Sequence, residues 1–533
     1  MIPVKATFAL GEPLGVRIEG AQGAVTVELW HLDQLVTSVS AEAGTSEVAV
    51  DALPEAGYGL RAYDSEGAMA TSALDVLRNP FERPRYGFVA EFPSGKDAAA
   101  LVDVAQRLHL NMVQFYDWAH RYAQLVPEGD EYVDPLGRPL SLTTVRAMTA
   151  ALAEIGSLSM GYAAVYAVGG VDWDDWKHAG LFKADGEPHR FTDDLLLVVD
   201  PSNEQWMKHF TGDLQQSMDE VGFTGFHLDS YGWPKRAFRA DGSVCDLNAA
   251  FPELLERIRS EVPSSRFLFN NVNDFPTWTT TSAPQDGTYI EVWAPHTTLG
   301  HLGGLIDRAR AMRPERTPIL AAYLSVYGTA PSAVADAAAR LVMATIFSHG
   351  GTHLLNGEDD TVLIDPYYPK NHQAGASTRD LMRDWYDFLV RYGDLLLSPT
   401  AVDVTRSYTG GINEDLVFET PPGVRISTDP EAGTVWVRVV RTRLGLVVHL
   451  INLTDQQTVD WDAAKNPITT ISGVRLRALK TLSTLPARAA DPDRSADLSQ
   501  VPTSADGLYD VIELPPVGAW SMVVLPEPTT WPG

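Results

Sequence analysis

Two acidic residues stand where the sequence could support catalysis. Asp229 follows the apolar run 225–228 and precedes a serine, a tyrosine and a glycine, so we expect it at the tip of a strand. Glu291 lies inside the apolar run 289–293, where a carboxylate loses hydration unless it is paired or used. Simpler alternatives stay open, because Asp229 could cap a helix or lie in a loop, and Glu291 could form a buried ion pair.

Polar and aromatic side chains follow other apolar runs in the middle of the chain. Acidic residues beside aromatic rings are typical of a carbohydrate site, because carboxylates, amides and His bind hydroxyl groups while Trp and Tyr cover the flat C–H faces of a sugar. Two candidates have equally good structural interpretations, Asp117 as a loop carboxylate and His227 as a core histidine. The candidate sugar-contacting residues are Tyr116, Asp117, Trp118, His227, Tyr231, Asn271, Asn273, Trp293, His296, His353 and Glu358.

Cleavage of a glycosidic bond requires two carboxyl groups on opposite sides of the anomeric carbon. One is ionised and attacks or activates water, and the other carries a proton for the leaving oxygen. Asp229 is the better candidate for the nucleophile, because a short loop with Gly232 follows it and lets a substrate approach closely. Burial inside an apolar strand would raise the pKa of Glu291, which suits a general acid.

Other reaction classes find less support in the sequence. His349 and His353 are four residues apart, but Gly350 and Gly351 interrupt any helix that would bring them together. The chain has no His-Glu-x-x-His motif, no EF-hand loop and no Gly-x-Ser-x-Gly motif. Its single cysteine, Cys245, excludes an internal disulfide and a cysteine-based zinc site. We therefore predict no cofactor and no catalytic metal, while a structural Ca²⁺ at an acidic loop stays open.

Residues 81–395 alternate short apolar runs with longer stretches of helical periodicity. Eight such repeats in about 300 residues predict a (β/α)₈ TIM barrel, in which functional residues collect at the carboxyl ends of the strands. An open doubly wound sheet is the alternative, but it usually has a Gly-rich phosphate loop after an early strand, and this sequence has none. The expected strands are 86–90, 112–116, 158–162, 225–228, 267–270, 288–293, 319–323 and 352–355.

The two ends of the chain have a different pattern. Residues 1–80 contain short alternating runs separated by glycines, and the pair at 79–80, Asn-Pro, marks a boundary. Residues 396–533 return to runs rich in β-branched residues. We predict an immunoglobulin-like antiparallel β-sandwich on the N-terminal side of the barrel and a second antiparallel β-sandwich on the C-terminal side. The three domains are expected at 1–80, 81–395 and 396–533.

Composition restricts the partners of this chain of 533 residues. A hydrophobic fraction of 45% excludes a largely disordered protein. The net charge of −28 argues against nucleic acids and anionic membranes and suits a neutral substrate. No apolar run approaches the roughly 20 residues that span a bilayer. Because the first residues lack the basic and apolar regions of a signal peptide, we expect a cytoplasmic protein, with a secreted protein that has lost its leader as the alternative.

The barrel region contains three motifs that together resemble glycoside hydrolase family 66: LNMVQFYDW at 110–118, GFHLDSYG at 225–232 and EVW at 291–293. The likeness continues through DPYYP at 365–369 and includes the β-sandwich on each side of the barrel. That family consists of endo-dextranases and cycloisomaltooligosaccharide glucanotransferases. The resemblance implies a retaining enzyme that acts on α-1,6-linked glucan.

Carried over by motif, Asp229 looks like the nucleophile and Glu291 like the acid/base residue. The resemblance also places the side chains of the first motif, at 116–118, in the sugar site. One segment departs from the family pattern: the sequence has HLLNGE at 353–358 where members often have HIELGD, so Leu355 replaces an acidic residue and Glu358 replaces Asp. This departure bears on sugar recognition and on the preferred substrate length.

The leading hypothesis is a retaining endo-acting hydrolase of dextran or isomaltooligosaccharides. The first alternative is a cycloisomaltooligosaccharide glucanotransferase, in which a sugar hydroxyl replaces water in the second step. Transferases of the family usually carry a carbohydrate-binding module late in the barrel, and only 29 residues separate Tyr323 from His353 here, which favours hydrolysis. A non-catalytic glucan-binding protein is the second alternative, and the presence of both Asp229 and Glu291 argues against it.

Overall fold

The structure is a computed structural model that describes residues 1–20, 23–42, 44, 46–64, 67, 69–192, 195–366, 371–482 and 486–526. Of the motif at 365–369, residues 367–369 lie outside these ranges. Within the ranges, no helix combines the length and the hydropathy needed to cross a membrane.

The middle of the described chain forms one sheet of eight parallel strands: β1 Tyr86–Val89, β2 Met112–Phe115, β3 Leu158–Ala164, β4 Gly225–Asp229, β5 Arg266–Asn270, β6 Gly287–Glu291, β7 Pro318–Ala321 and β8 Thr352–His353. Each strand pairs with its neighbour in chain order, so the sheet runs from β1 to β8 and curls into a nearly closed barrel. Each of the eight expected runs coincides with one of these strands, which confirms the prediction of a parallel barrel sheet.

Side chains of the barrel strands alternate between two hydrophobic cores. Tyr86 and Leu268 belong to the cluster inside the barrel, whereas Phe226 belongs to the cluster between the sheet and the helices. Because successive residues of a strand face opposite sides, Asp229 and Glu291 continue the inward-facing sets of β4 and β6. Both carboxylates therefore stand at the mouth of the barrel, above its inner core.

Seven longer helices pack outside the sheet in the described ranges: α1 Ala99–Arg107, α2 Leu142–Glu154, α3 Glu204–Val221, α4 Leu247–Glu261, α5 Leu299–Met312, α6 Ser332–Ser348 and α7 Ala376–Arg391. The side chain of Asn203 caps α3, and Gly222 ends it in the left-handed conformation. Shorter helices and 3₁₀ turns occupy Pro80–Glu82, Gly170–Asp172, Trp173–Trp176, Lys177–Ala179, Val272–Asp274, Thr277–Thr280, Val326–Thr329, Gly393–Leu396 and Thr405–Tyr408.

The loops at the carboxyl ends of the barrel strands contain short strands of their own. Pairs or triples of these strands follow β2, β3, β4 and β8. Their bounds are Glu131–Val133, Pro139–Ser141, Ala167–Val168, Arg190–Phe191, Leu196–Val198, Arg236–Phe238, Val244–Asp246, Thr361–Val362 and His372–Gln373.

The N-terminal region forms two sheets, mostly antiparallel, that contribute to one hydrophobic cluster. Three strands form the first sheet: Ile2–Pro3, Leu14–Arg17 and Glu47–Val50. Five strands form the second sheet: Phe8–Ala9, Val25–His31, Gln34–Ala41, Ala56–Asp64 and Met69–Leu77. The apolar positions alternate along Val25–His31, as the pattern of the sequence predicts for a strand with one buried face.

The C-terminal region also forms two sheets around a shared cluster. One sheet contains Val402–Asp403, Ile426–Ser427, Val435–Thr442, Gly445–Asn452, Arg488–Asp491, Ser495–Gln500 and Trp520–Leu525. The other contains Leu416–Glu419, Arg475–Leu479, Thr503–Asp506 and Tyr509–Glu513. The strand Gly445–Asn452 is buried along its whole length, because one face packs in the shared cluster through Val448 and Leu450 and the other packs against the helices of the barrel through Val447 and Ile451.

Charged side chains join the flanking sheets to the barrel. Asp394, just after α7, accepts hydrogen bonds from the backbone amide of Gly57 at 3.0 Å and from Arg83 at 2.7 Å. Asp497 of the larger C-terminal sheet accepts one from Arg61 Nε at 3.1 Å and one from Arg391 at 2.6 Å. The carboxylate of Asp497 therefore contacts both the N-terminal sheets and the barrel.

The N-terminal sheet approaches α7 so closely that no side chain fits between them. A Cβ atom on Gly57 would lie 2.1 Å from the carbonyl oxygen of Val390, and one on Gly59 would lie 2.4 Å from Nε of Arg391. Glycine at these two positions is what allows the strand Ala56–Asp64 to pack directly against the helix.

Candidate active site

A cavity of about 510 Å³ opens at the carboxyl ends of the barrel strands. This volume falls in the range typical of small-molecule sites. Its walls combine carboxylates with aromatic rings, which is the pairing expected for a sugar site. The lining residues are Tyr116, Asp117, Tyr122, Leu136, Tyr162, Phe191, Thr192, Leu195, Leu196, Asp229, Ser230, Tyr231, Val272, Glu291, Trp293 and Pro366.

Asp229 and Glu291 share one hydrogen-bond donor. The side-chain amide of Asn270 donates to Asp229 Oδ1 and to Glu291 Oε2, each at 2.7 Å. The two accepting oxygens are therefore separated by no more than twice that distance. Asn270 is buried and ends β5, and the neighbouring strands β4 and β6 end in the two carboxylates. The order of the strands in the sheet thus brings the three side chains together.

Both carboxyl groups resist ionisation. Burial raises the pKa of Asp229 to about 6, although hydrogen bonds from Asn270 and Tyr162 act in the opposite direction. Burial and the negative charge of Asp229 raise the pKa of Glu291 to about 7. Asp229 is thus the group that ionises first, and Glu291 is the group that keeps its proton longer. A nucleophile and a general acid need this difference in pKa.

Further hydroxyl and ring groups fix the two carboxylates in place. Tyr162 donates its hydroxyl to Asp229 Oδ2 at 2.7 Å, so both oxygens of Asp229 have a donor. Interactions with Trp293 and Tyr323 act to lower the pKa of Glu291, against the effect of burial. Asp229 is therefore oriented by two donors, and Glu291 by one, before any substrate binds, which is the arrangement that catalysis requires.

His227 lies one layer below Asp229 inside the barrel and does not line the cavity. Its Nδ1 is 3.0 Å from the hydroxyl of Tyr86, and its ring meets the ring of Tyr289 edge-on at 4.7 Å. Burial lowers the pKa of His227 to about 3, so the ring is neutral. The structure therefore places His227 beneath the site and not at the sugar contact expected from the sequence.

Four of the expected sugar contacts do line the cavity, namely Tyr116, Asp117, Tyr231 and Trp293. Burial raises the pKa of Asp117 to about 7, against the charge of Arg138, whose Nη2 lies 3.4 Å away. Asp117 has a positive φ of 50°, which turns the chain at the end of β2. Trp293 is 39% exposed, so its indole is accessible from the cavity.

Trp118 and Asn271 do not line the cavity, so the structure does not bring them to the sugar site expected from the sequence. Trp118 is fully buried and donates its Nε1 to the carbonyl of Tyr162 at 3.1 Å. The left-handed turn at Asp117 interrupts the alternation of the strand and sends the Trp118 ring into the core between sheet and helices. Asn271 is also buried, because its amide donates to two backbone carbonyls of β5 and β6.

His353 and Glu358 are structural in this fold and do not line the cavity. Nε2 of His353 lies 2.9 Å from the carbonyl oxygen of Ala322, and the residue is buried. Glu358 accepts the backbone amides of Ala90 and Glu91, each at 2.9 Å, and pairs with Lys96. The structure therefore places neither residue at the sugar contact expected from the sequence.

Asn273 and His296 lie beside the cavity without lining it. Asn273 accepts the backbone amide of Trp293 at 2.7 Å and donates to the carbonyl of Ala294 at 2.9 Å, so it holds the loop that presents the indole. The backbone carbonyl of His296 accepts the indole N–H of Trp461 at 2.7 Å. Both residues make hydrogen bonds that shape the loop after β6.

The sequence reasoning missed Asn270 and Tyr162, which hold the carboxylates. The sequence contains a signal for both, because each lies at the end of an apolar run. Asn270 is two residues after Leu268, and Tyr162 is two residues after Met160, so each faces the inside of the barrel as those residues do. The cavity residues Tyr122, Leu136, Phe191, Thr192, Leu195 and Leu196 come from long loops without periodicity, and no sequence signal marks them.

Candidate metal ligands do not converge in the described ranges, where His, Cys, Asp and Glu form no group of three that could hold an ion. His349, one of the two histidines that the sequence singles out, has its Nδ1 3.1 Å from a carboxylate oxygen of Asp307. Its neighbour in that pattern, His353, faces a backbone carbonyl.

Relatives of the chain include a cycloisomaltooligosaccharide glucanotransferase and a dextranase. A cycloisomaltooligosaccharide glucanotransferase from Niallia circulans is 22% identical, and the match covers 98% of this chain and 71% of the relative. A dextranase from Streptococcus salivarius is 23% identical, over 61% of this chain and 47% of the relative.

Among solved structures, a cycloisomaltooligosaccharide glucanotransferase from Paenibacillus sp., complexed with cycloisomaltoheptaose, shares the fold with a TM-score of 0.87. The two sequences are 19% identical, and the match covers 98% of each chain. The sequence profile described as Glycosyl hydrolase family 66 matches residues 4–524, which is nearly the whole chain. The chain therefore belongs to glycoside hydrolase family 66.

Proposed function

We propose that this protein hydrolyses α-1,6-glucosidic linkages in dextran or isomaltooligosaccharides with retention of the anomeric configuration. The observation that carries the proposal is the pair of carboxylates, Asp229 and Glu291, bridged by the amide of Asn270 in an aromatic-lined cavity. Retaining glycosidases place their two carboxyl groups about 5–5.5 Å apart, and inverting ones about 6.5–9.5 Å. The shared donor keeps the two bridged oxygens within twice 2.7 Å of each other, and this short separation supports retention.

In the first step, the carboxylate of Asp229 attacks the anomeric carbon, and the bond to the leaving oxygen breaks. Glu291 gives its proton to that oxygen, so the shortened glucan leaves as a neutral alcohol. The glycosyl unit is then covalently bound to Asp229. The pKa of Glu291, raised to about 7, keeps this proton in place near neutral pH.

In the second step, the deprotonated Glu291 takes a proton from water, and the hydroxide attacks the anomeric carbon. The bond to Asp229 breaks, and its carboxylate is restored. Two inversions at the same carbon restore the original configuration. Throughout, Asn270 and Tyr162 stabilise the charged form of Asp229 by hydrogen bonds.

Cyclising transglycosylation is the second candidate function. The match to a glucanotransferase over 98% of this chain supports it, since the dextranase match covers a smaller part. In that reaction a hydroxyl of the glucan itself replaces water in the second step. Hydrolysis is favoured because the chain between Tyr323 and His353 is occupied by the helices Val326–Thr329 and Ser332–Ser348, with no room for a further module.

We also infer that the flanking sheets form β-sandwiches, with domains at 1–80, 81–395 and 396–533. Support comes from the clusters that residues of both sheets share: Val16 with Leu60 on the N-terminal side, and Val448 with Leu476 on the C-terminal side. The net charge of −28 agrees with a neutral sugar as substrate.

Product analysis tests the proposed function. The protein is incubated with dextran, isomaltooligosaccharides, starch and pullulan, and the products are identified by chromatography and mass spectrometry. Linear isomaltooligosaccharides, released first as the α-anomer in NMR spectra, are expected. Predominant cyclic products would favour transglycosylation, a β-anomer would contradict retention, and cleavage of starch but not dextran would overturn the linkage. Asp229→Ala, which lacks the proposed nucleophile, controls for contaminating activity.

A further inference from the structure

A series of aromatic rings leads from the cavity to the protein surface. Phe191 and Tyr231 both line the cavity, with ring centroids 5.1 Å apart. The ring of Trp233 meets Phe191 at 5.9 Å and an angle of 80°. Trp233 does not line the cavity itself and is 40% exposed. Its indole is thus the outer member of a continuous aromatic surface that starts two residues after Asp229.

The backbone around Trp233 is held firmly. The hydroxyl of Tyr166 donates to the carbonyl of Trp233 at 2.6 Å and accepts the backbone amide of Tyr231 at 3.0 Å. The buried ring of His189 packs edge-on against the indole at 4.7 Å and 84°. An exposed tryptophan with this much support has a defined orientation, which a binding platform needs.

Gly232 makes this placement possible. It has a positive φ of 63°, and a Cβ atom there would lie 2.9 Å from Cβ of Val272. A glycine therefore allows the chain to turn directly after Tyr231, so that Tyr231 and Trp233 contact the same ring, Phe191.

We propose that Trp233 binds an outer glucosyl unit of the substrate and so makes the enzyme prefer long α-1,6-glucan chains. This inference rests on the proposed function and extends the substrate path beyond the cavity. Glucosyl units have flat C–H faces that pack on indole rings, and an exposed aromatic surface continuous with a cavity marks a ligand groove. A short oligosaccharide that fills only the cavity does not reach Trp233.

Trp278 provides a matched control. It is more exposed than Trp233, at 52%, and its ring packs on Phe275 at 5.8 Å. Trp278 does not line the cavity. Replacing either tryptophan by alanine removes one exposed indole from the surface, but only Trp233 lies on the proposed path of the substrate.

The experiment compares kcat/KM of Trp233→Ala, Trp233→Phe and Trp278→Ala on isomaltooligosaccharides of increasing length and on dextran. For Trp233→Ala we expect kcat/KM to fall about tenfold on long substrates, mainly through KM, and to keep its wild-type value on the shortest substrate that is cleaved. Trp233→Phe, which keeps an aromatic face, should recover most of the loss. Trp278→Ala should match the wild type at every length.

Two results would overturn the inference: a loss that is equal at all substrate lengths, or no loss on dextran. Binding of a long isomaltooligosaccharide to Asp229→Ala, measured by calorimetry with and without Trp233→Ala, checks the same point without turnover. If the wild-type protein cleaves no α-1,6-glucan, then the proposed function itself fails, and this outcome is distinct from an unchanged length dependence in an active enzyme.

Discussion

Asn270 gives one amide group to two carboxylates and so couples their ionisation. Each hydrogen bond stabilises the charged form of its acceptor, and therefore lowers a pKa that burial raises. The result is a pair that titrates close to neutral pH, Asp229 near 6 and Glu291 near 7. The active form, with Asp229 ionised and Glu291 protonated, is then most abundant between these two values.

Replacement of Asn270 by Ala should shift the pH dependence of activity. The wild-type profile of kcat/KM is expected to be bell-shaped, with an acidic limb near pH 6 from Asp229 and an alkaline limb near pH 7 from Glu291. Without the amide both pKa values rise, so both limbs move to higher pH, and kcat falls roughly tenfold or more. Steady-state kinetics from pH 4 to pH 9, a range of about five units around these values, measure this shift.

A lower kcat with an unmoved profile would contradict that role of Asn270. Circular dichroism of the variant shows whether the fold is intact. The replacement of Ser230, whose hydroxyl donates to the backbone carbonyl of Asn270 and not to its amide, serves as the control. Ser230→Ala should leave both limbs of the profile in place.

At the scale of single residues, the sequence predicts the two catalytic carboxylates better than it predicts the side chains that contact them. A carboxylate at a strand tip is recognisable because burial makes it costly without a use. Whether a neighbouring side chain faces the cavity depends on local backbone geometry, as the left-handed Asp117 shows by turning Trp118 into the core. Whether Asn270 or Asn271 faces the cavity depends on which residues of β5 point into the barrel. A run of consecutive apolar residues does not show this.

The ends of the barrel sheet, β1 and β8, are linked by a side chain. Among the described residues, no backbone pairing is recorded between these two strands. The carboxylate of Glu358, after β8, instead accepts the two amides that follow β1 and pairs with Lys96. Glu358 thus links β1 to β8 at the barrel mouth through its side chain, whereas backbone hydrogen bonds link the other neighbouring strands of the sheet.

Glu358→Ala should therefore destabilise the protein by about 2–4 kcal/mol, because it leaves the buried amide of Ala90, the partly buried amide of Glu91 and one ammonium group without their acceptor. Thermal denaturation measures the change. Asp360→Ala is the matched control, since it removes a neighbouring, partly exposed carboxylate that pairs with Arg107, and should cost less than about 1 kcal/mol. Equal losses for the two variants would show that Glu358 does not join β1 to β8.

Elements were the most predictable level of this structure. The eight short apolar runs between turn residues predicted β1 to β8, because buried parallel strands must be apolar on both faces. The loops that wall the cavity, such as the strand Arg190–Phe191 and its surroundings, were not predictable, since their conformation depends on contacts with distant loops.

The whole molecule depends on carboxylates that join its three regions. Burial acts to raise the pKa of Asp394, but the nearby ring of His31, the guanidinium of Arg83 and the amide of Gly57 outweigh it and hold the pKa well below its usual range. A depressed pKa stabilises the fold at pH values above the ordinary pKa of an aspartate, and the stabilisation is lost as pH falls towards the folded value.

Asp394→Asn should lower the melting temperature at pH 7, by an amount equivalent to about 1–3 kcal/mol. Because the stabilisation fades below about pH 4, the difference from the wild type should shrink at pH 3. Asp429→Asn, which breaks an exposed ion pair with Arg406, should leave the melting temperature unchanged at pH 7 and at pH 3. A difference that is the same at pH 7 and pH 3 would rule out the charge of Asp394 as its source.

The junctions also set the order in which the chain can mature during synthesis. Gly57 finds its carboxylate partner 337 residues further along the chain, and Arg61 finds Asp497 after 436 residues. At about 5–20 residues per second, a ribosome needs roughly 20–90 s to cover such a distance. The partners become available in sequence: α7, which covers Gly57 and Gly59, and Asp394 are made first, and the strand that contains Asp497 follows about a hundred residues later. A nascent chain therefore cannot complete the junction at Arg61 before most of the C-terminal region has emerged.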